Sequence, residues 1–436
     1  MESSSPVMRL INKLSIFTGR RQANPTPTRR IVFLLPMGID RPSGRRYFNI
    51  ARGLVRLGFH VRLLALHPDF ATCPQRRFVV DGVEVWYVGQ MHARKIGSIP
   101  LSFSPFQLLL VVVQSTLGMI WGVLHSPATW YHLGKPQPIN GMAALLAISL
   151  WRRQPFFVDC DDDEATANRF TARWQQAVFA FWQWLLPRLA IGVTVNTQYL
   201  AAQMAQPGRP CVIVPNGVAA DFRAPPLHIR AALTSALGLQ HGPVIAYAGT
   251  LALHNHPVDL LLQAFDQIAA QHTTARLLII GGGEDLPLIR SYIERQPWRG
   301  RVILTGHLPH ATVRGLLALA DLSVDPVYDD SVARARCPLK IVESLALGVP
   351  VITGDVGDRA EMLGYGAAGM LVPPGNAAAL AAAIHELLIN PQRRKAMAAA
   401  ALVQASRYDW ERLAARWATI YDRANHQCPR QPTDRE

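Results

Sequence analysis

The chain has 436 residues, 50% of them hydrophobic, and a formal charge of +14 from 44 Lys and Arg against 30 Asp and Glu. That length and apolarity leave room for two packed cores and exclude a largely disordered chain. Five cysteines (Cys73, Cys160, Cys211, Cys337, Cys428) are scattered without a CxxC pair, which excludes a disulfide framework and a cysteine-ligated zinc site and points to a reducing cytoplasm.

The charge is concentrated at the front, where eleven basic residues from Arg9 to Arg56 meet only Glu2 and Asp40. Such an end seeks polyanions. No helix-turn-helix, zinc-finger or RNA-binding aromatic signature accompanies it, so no specific nucleic-acid partner is expected. An anionic membrane surface fits better, each basic residue near it contributing roughly 1 kcal/mol. Residues 1–28 read as a basic flexible leader. Within them 7–17, with Leu10, Leu14 and Phe17 beside Arg9 and Lys13, read equally as a short interfacial helix or a frayed terminus. Their apolar run is too short and too broken by charge for a cleavable signal peptide.

Residues 30–37 read as a buried strand, 43–58 as a helix and 60–66 as a second strand, a βαβ start. Residues 78–88, turning at Asp81-Gly82, supply more strand, and 129–133, 156–160, 192–195 and 212–214 follow, mostly separated by helices. The apolar run 106–124 approaches membrane-spanning length but is interrupted by Gln107, Gln114 and Ser115, so a buried or membrane-apposed helix is favoured over a span. After Pro215-Asn216-Gly217 a connector runs to Gly242, and the pattern restarts with strands at 244–247, 276–280, 302–304, 322–324 and 349–353. Helices begin between them at Val258, Asp285, His310 and Pro338. Residues 376–424 read as helical, with Trp410 and Trp417 in the core. The expected class is α/β with two facing doubly wound, Rossmann-like domains, 29–222 and 243–406, then a C-terminal helix and polar tail, 407–436. Ligands of such sheets bind beyond the carboxyl ends of the strands, here in the cleft between domains.

The most informative segment starts at Cys337-Pro338-Leu339-Lys340-Ile341-Val342-Glu343. Pro338 suits a first helical turn, whose free amides form a diphosphate site, and Glu343 one turn on can accept two hydrogen bonds from a ribose diol. The plainer reading is an amphipathic helix with a solvated Glu. With the strand ending Val214-Pro215-Asn216-Gly217, the Tyr247-Ala248-Gly249-Thr250 turn and the Ile280-Gly281-Gly282-Gly283-Glu284 turn, the chain resembles the retaining GT-B glycosyltransferases of family 4 over nearly its whole length.

The resemblance implies a nucleotide-diphosphate sugar donor and a glycan or lipid-linked acceptor, with neither metal nor cofactor. It implies that Glu343 binds the donor ribose, that Leu339, Lys340 and Ile341 approach the diphosphate, and that the loop at Ser43-Gly44 closes over it. Gly282 and Glu284 mark a turn where backbone can approach the nucleotide. This turn is no GxGxxG fingerprint, so a nicotinamide cofactor is not expected.

Three departures stand out. The family's sugar-contacting Glu, eight positions before Glu343, is Ala335, leaving Asp325, Asp329 and Asp330 as substitutes unless they are merely solvated. The family's diphosphate-binding Arg is Thr250, and its Lys falls at Asn255 or His256. Replacement cations are sought among Arg334, Arg336, Arg45, Arg46, His254 and His256, with Arg336 and His256 preferred as catalytic. Where the family carries a catalytic-site His stands Asp161, read in order as a helix N-cap, an acceptor-binding carboxylate or a metal ligand. His132 either lines the cleft or is structural. A non-catalytic nucleotide-sugar-binding relic on a membrane is the rival function, and an epimerase or phosphorylase of the same shape a further one.

Overall fold

The computed structural model describes residues 29–427 apart from 93, 97–98, 102, 169 and 171. The leader and the last nine residues of the tail discussed above lie outside the described residues. The first sheet is built from β1 (Arg30–Leu35), β2 (His60–His67), β3 (Arg77–Val80), β4 (Val83–Gln90), β7 (Trp130–Gly134), β8 (Phe156–Cys160), β9 (Gly192–Val195) and β10 (Cys211–Ile213), with a small hairpin of β5 (Arg94–Ile96) and β6 (Ile99–Leu101) outside it. Its order is β10-β9-β8-β7-β1-β2-β4-β3, parallel except for the β3/β4 edge pair. That pair turns at Asp81 and Gly82, both in the left-handed region (φ 51° and 79°). Five of the six residues of β1 are fully buried, the pattern of a parallel strand covered on both faces.

The second sheet contains β11 (Val244–Ala248), β12 (Arg276–Ile280), β13 (Val302–Leu304), β14 (Leu322–Asp325), β15 (Val351–Gly354) and β16 (Gly369–Val372), all parallel, in the order β13-β12-β11-β14-β15-β16. Strand order reverses between β1 and β7 in one domain and between β11 and β14 in the other. The loops leaving those strands flank the crevices where doubly wound sheets bind ligands.

Six helices matter below: α1 (Pro42–Arg56), α2 (Pro105–Leu124), α3 (Pro138–Ala143), which continues as a π helix over Ala144–Trp151, α4 (Arg173–Leu189), α5 (Leu339–Ala346) and α6 (Trp410–Gln427). The last of these returns to the first domain. Trp417 and Tyr421 sit in its core against Phe33, His132 and Phe157, and Gly53 of α1 is small because Ala414 occupies the space of a side chain there. Trp410 and Trp417 are buried.

The connector holds a helix, Leu227–Ala236, with no buried residue, and β16 is an edge strand with one; neither was expected, since so little burial leaves a weak periodic signal.

Candidate active site

A cleft of about 980 Å³ opens between the two domains, at the carboxyl ends of both sheets. From the second domain it is lined by Thr250, Asn255, His256, Gly282, Arg336, Leu339, Lys340 and Glu343, and from the first by Ser43, Arg45, Asp161 and Asp162.

The floor of the cleft on the second-domain side is an ion cluster. Lys340, in the first turn of α5, lies 3.1 Å from Asp325 Oδ1 at the end of β14, and its Nζ sits 4.5 Å over the Tyr247 ring. Arg359 Nε is 3.0 Å from Asp325 Oδ2. Burial alone would raise the Asp325 carboxyl, but Lys340 and Arg359 hold it well below the usual carboxylate range; burial would lower the Lys340 ammonium, and Tyr247 with Asp325 keeps it above its ordinary value. One turn along α5, Glu343 Oε1 is 2.7 Å from His310 Nε2 and its side chain is 14% exposed. The carboxylate is thus oriented by an imidazole with its edge open to the cleft, an arrangement suited to a vicinal diol beside a helix N-terminus.

Arg336 donates to Asn255 O at 2.9 Å, which ties the loop after β11 to the segment before α5. Burial, with Lys340 and Arg336 nearby, pushes the His256 imidazole down to about 2. In the free protein His256 is therefore a neutral hydrogen-bonding group, and the expectation of a cation there is corrected.

On the opposite wall, Lys135 follows β7 with φ 70°, a left-handed conformation costly for a side-chain-bearing residue and often held at functional sites. Its buried ammonium pairs with Asp161 at 3.0 Å and with Glu164, whose other oxygen accepts from Gln137 at 2.6 Å. Burial opposes the charge on Asp161, but Lys135, then Arg46 and a Ser43 hydrogen bond, hold it below its ordinary value. Asp162 next door is different: burial pushes it up to about 6 despite Lys135 and Arg336.

Several expectations are corrected by these contacts. Asp161 is not a helix cap, since Glu164–Ala167 begins after Asp163 and Asp161 is bound to Lys135. Ile341 is fully buried in the core, and its N–H goes to Pro338 O at 3.1 Å, so it does not reach the cleft. Glu284 is exposed and does not itself line the cleft, but lies 3.4 Å from Nδ1 of His254, which does. Gly44 is buried where a side chain would strike Gly38 O, so its size lets the loop after β1 sit on α1, while Ser43 and Arg45 line the cleft. All three substitute aspartates are occupied: Asp325 as described, Asp329 by Arg334, and Asp330 as the cap of Ser331–Ala335. Arg334, paired with Asp329 on the surface, does not line the cleft and so is no replacement cation there. Nor is Arg46, since it is buried in a two-pronged contact with Asp159 at 3.2 Å. His132 is structural: fully buried, hydrogen-bonded to Tyr421 and Thr194, and kept neutral by burial and Arg46. Sequence alone marks neither Lys135 nor His310 as a site residue, because the carboxylates they meet are distant in sequence, and it does not tell Asp162 from its acidic neighbours; a Gly-Lys-Pro at a strand end is the one available signal for Lys135.

A helix N-terminus carrying a lysine and an oriented carboxylate, in an interdomain cleft at two switch points, is the arrangement of a two-domain α/β protein that takes its ligand between the domains. Residues 43–217 match the "Glycosyl transferase 4-like domain" family and residues 242–390 the "Glycosyl transferases group 1" family. The chain belongs to the family 4 glycosyltransferases and has their GT-B fold. Curated relatives include alpha-D-kanosaminyltransferase of Streptomyces kanamyceticus, 26% identical over 44% of this chain and 48% of its own, and phosphatidyl-myo-inositol mannosyltransferase of Mycobacterium leprae, 28% identical over 50% and 55%. The chain spans about half the length of the curated relatives it matches. Among solved structures, sucrose-phosphate synthase from Thermosynechococcus elongatus superposes with a TM-score of 0.73 at 17% identity over 92% of this chain and 100% of that one. Anabaena Alr3699/HepE in complex with UDP gives 0.65 at 18% over 90% and 100%.

Proposed function

We propose that the protein transfers a hexose from a nucleoside-diphosphate sugar to a glycan or lipid-linked acceptor, with retention at the anomeric carbon and without metal. The observation that carries the reading is the pairing on α5 of Lys340 in the first turn with Glu343 one turn later, Glu343 being held by His310 and open to the cleft. Helix amides and Lys340 face the diphosphate, Glu343 accepts from the ribose, and Arg336 stands where leaving-group charge develops. The acceptor oxygen attacks the face from which the nucleoside diphosphate departs: the bond from C1 to the phosphate oxygen breaks, the bond from C1 to the acceptor forms, and the departing phosphate oxygen takes the acceptor's proton. No side-chain nucleophile is needed. The kanosaminyl- and mannosyltransferase relatives support the reaction class. The scattered cysteines and the basic front of the chain support a cytoplasmic location on the inner face of a membrane.

Calorimetric titration of UDP, GDP and ADP without metal tests this. One nucleotide binds, and Glu343→Ala weakens it by about 1.5–3 kcal/mol, the scale of a charge-assisted hydrogen bond. No binding of any of the three favours instead a non-catalytic relic, for which Thr250 in place of the family's Arg is the supporting observation.

A further inference from the structure

One outer layer of the first domain is apolar on both sides. The three helical segments α2, α3 with its π-helical continuation, and α4 lie together over the sheet: Gly141 of α3 seats against Trp182 and Leu186 of α4, and Arg152 at the end of the π helix donates to Val123 O and Leu124 O of α2. Their inward faces belong to the core. Their outward faces carry Phe106 and Leu117 on α2, Leu150 and Trp151 on the π helix, and Trp174 and Trp184 on α4, of which Leu150 and Trp151 are 70% and 76% exposed. Among the described residues, fifteen of the twenty-five large apolar side chains that stand exposed lie on these segments. Scattered exposed apolar residues are ordinary, whereas a continuous apolar face marks a contact surface.

By length and composition α2 is able to cross a membrane. It is nonetheless fastened to the sheet, Ser115 Oγ donating to Gln90 O at 2.7 Å and Gly118 leaving no room for a side chain above Val88 O. A helix held so closely along its length lies on a surface instead of spanning one.

The charges say what covers the face. No Asp or Glu occurs between Glu84 and Asp159, nor between Glu164 and Asp221, while Arg153, Arg173 and Arg188 stand exposed beside the apolar residues. Arg188 lies 4.7 Å over the Trp184 ring. Tryptophan and arginine flanking an apolar surface suit the boundary between acyl chains and anionic headgroups. A second copy docked through the same face by two-fold symmetry would place arginines against arginines with no carboxylate to offset them.

We propose that this three-segment face inserts into the headgroup and acyl boundary of an anionic bilayer, holding the protein by apolar immersion and not by charge alone. The inference deepens the membrane location proposed above and rests on that part of the reading, while being independent of glycosyl transfer.

The test is flotation of the full chain with phosphatidylcholine vesicles and with vesicles containing phosphatidylglycerol, at low salt and at about 1 M NaCl, where the screening length is only about 3 Å. The wild type stays bound at high salt, and brominated lipid quenches its tryptophan fluorescence. The triple variant Trp151→Ser, Trp174→Ser, Trp184→Ser binds at least tenfold more weakly and loses most of the quenching. Its nucleotide titration matches the wild type, which shows that it folds. Three results overturn the proposal: no vesicle binding; binding abolished by salt and unchanged in the triple variant, which assigns the membrane location to the basic leader; or a stable lipid-free dimer that the same variant splits. Loss of the proposed transfer reaction with vesicle binding intact refutes the functional reading and leaves this one standing.

Discussion

Asp162 should cost the protein stability for the sake of its position. Its carboxyl is pushed from 3.8 up to about 6, with burial the largest cause, and it lines the cleft facing the Arg336 side. A carboxyl whose folded value exceeds its unfolded one binds more protons in the native state, so its penalty is absent below the unfolded value, grows as pH rises from about 4 to about 6, and is complete above that. Two units correspond to roughly 3 kcal/mol, and screening by cleft water reduces this to about 1–2 kcal/mol. Asp162→Asn should therefore stabilise the nucleotide-free first domain at pH 7.5, raising its melting temperature by about 2–6 °C, and leave it unchanged near pH 4. Calorimetric melting of both proteins from pH 4 to 8 is the assay. A stability difference that does not vary with pH, or a less stable variant at pH 7.5, refutes the reasoning.

Lys135→Met leaves Asp161 and Glu164 buried without their shared cation, and should destabilise the first domain by about 3–5 kcal/mol, read by denaturant unfolding. On the proposed mechanism Arg336→Ala should lower turnover at least tenfold while nucleotide affinity changes less, its charge acting where the leaving group develops; equal losses in both would make it a ground-state binder.

The two alternating runs of buried strand and helix were readable because covered parallel sheets write themselves as apolar blocks: Ile31 to Leu35 and Leu277 to Ile280 are nearly uniform in burial. Glu343 and Lys340 were readable because one helix N-terminus positions both. What stayed hidden was which charges were already engaged. Asp325 reads as an available acidic side chain until Lys340 and Arg359 are seen on either side of it, 15 and 34 residues away. Asp161, Asp162 and Asp163 are consecutive and chemically identical, yet one pairs with Lys135, one is raised by burial and one accepts from Gln183. Only the tertiary surroundings distinguish them. The apolar face of α2 was half readable: its sequence showed length and apolarity, while the sheet contact that makes it one-sided depended on Gly89 meeting Ser115 and Gly118 meeting Val88 in space.

The same distinction governs how the two domains are coupled. Arg46 holds Asp159 inside the first domain and also donates to Pro215 O at 3.1 Å and Asn216 Oδ1 at 3.3 Å. Asn216 donates in turn from Nδ2 to Cys337 O at 2.7 Å and from its backbone N–H to Cys337 Sγ at 3.2 Å, directly before the helix that carries Lys340 and Glu343. Asn216 thus bridges Arg46 of the first domain to the segment that enters α5, beside a second contact from Gln198 N–H to Asp358 Oδ2 at 2.9 Å, and two substitutions separate folding from positioning. Arg46→Met leaves Asp159 buried with only the Tyr47 and Thr194 hydroxyls, so it should cost about 3–5 kcal/mol of first-domain stability. Asn216→Ala removes only the bridge. It should leave that stability within about 1 kcal/mol of wild type, yet widen the distribution of interdomain distances measured by spin labels and weaken nucleotide binding. If Asn216→Ala instead unfolds the first domain as Arg46→Met does, the asparagine is part of that core and not the joint between the two.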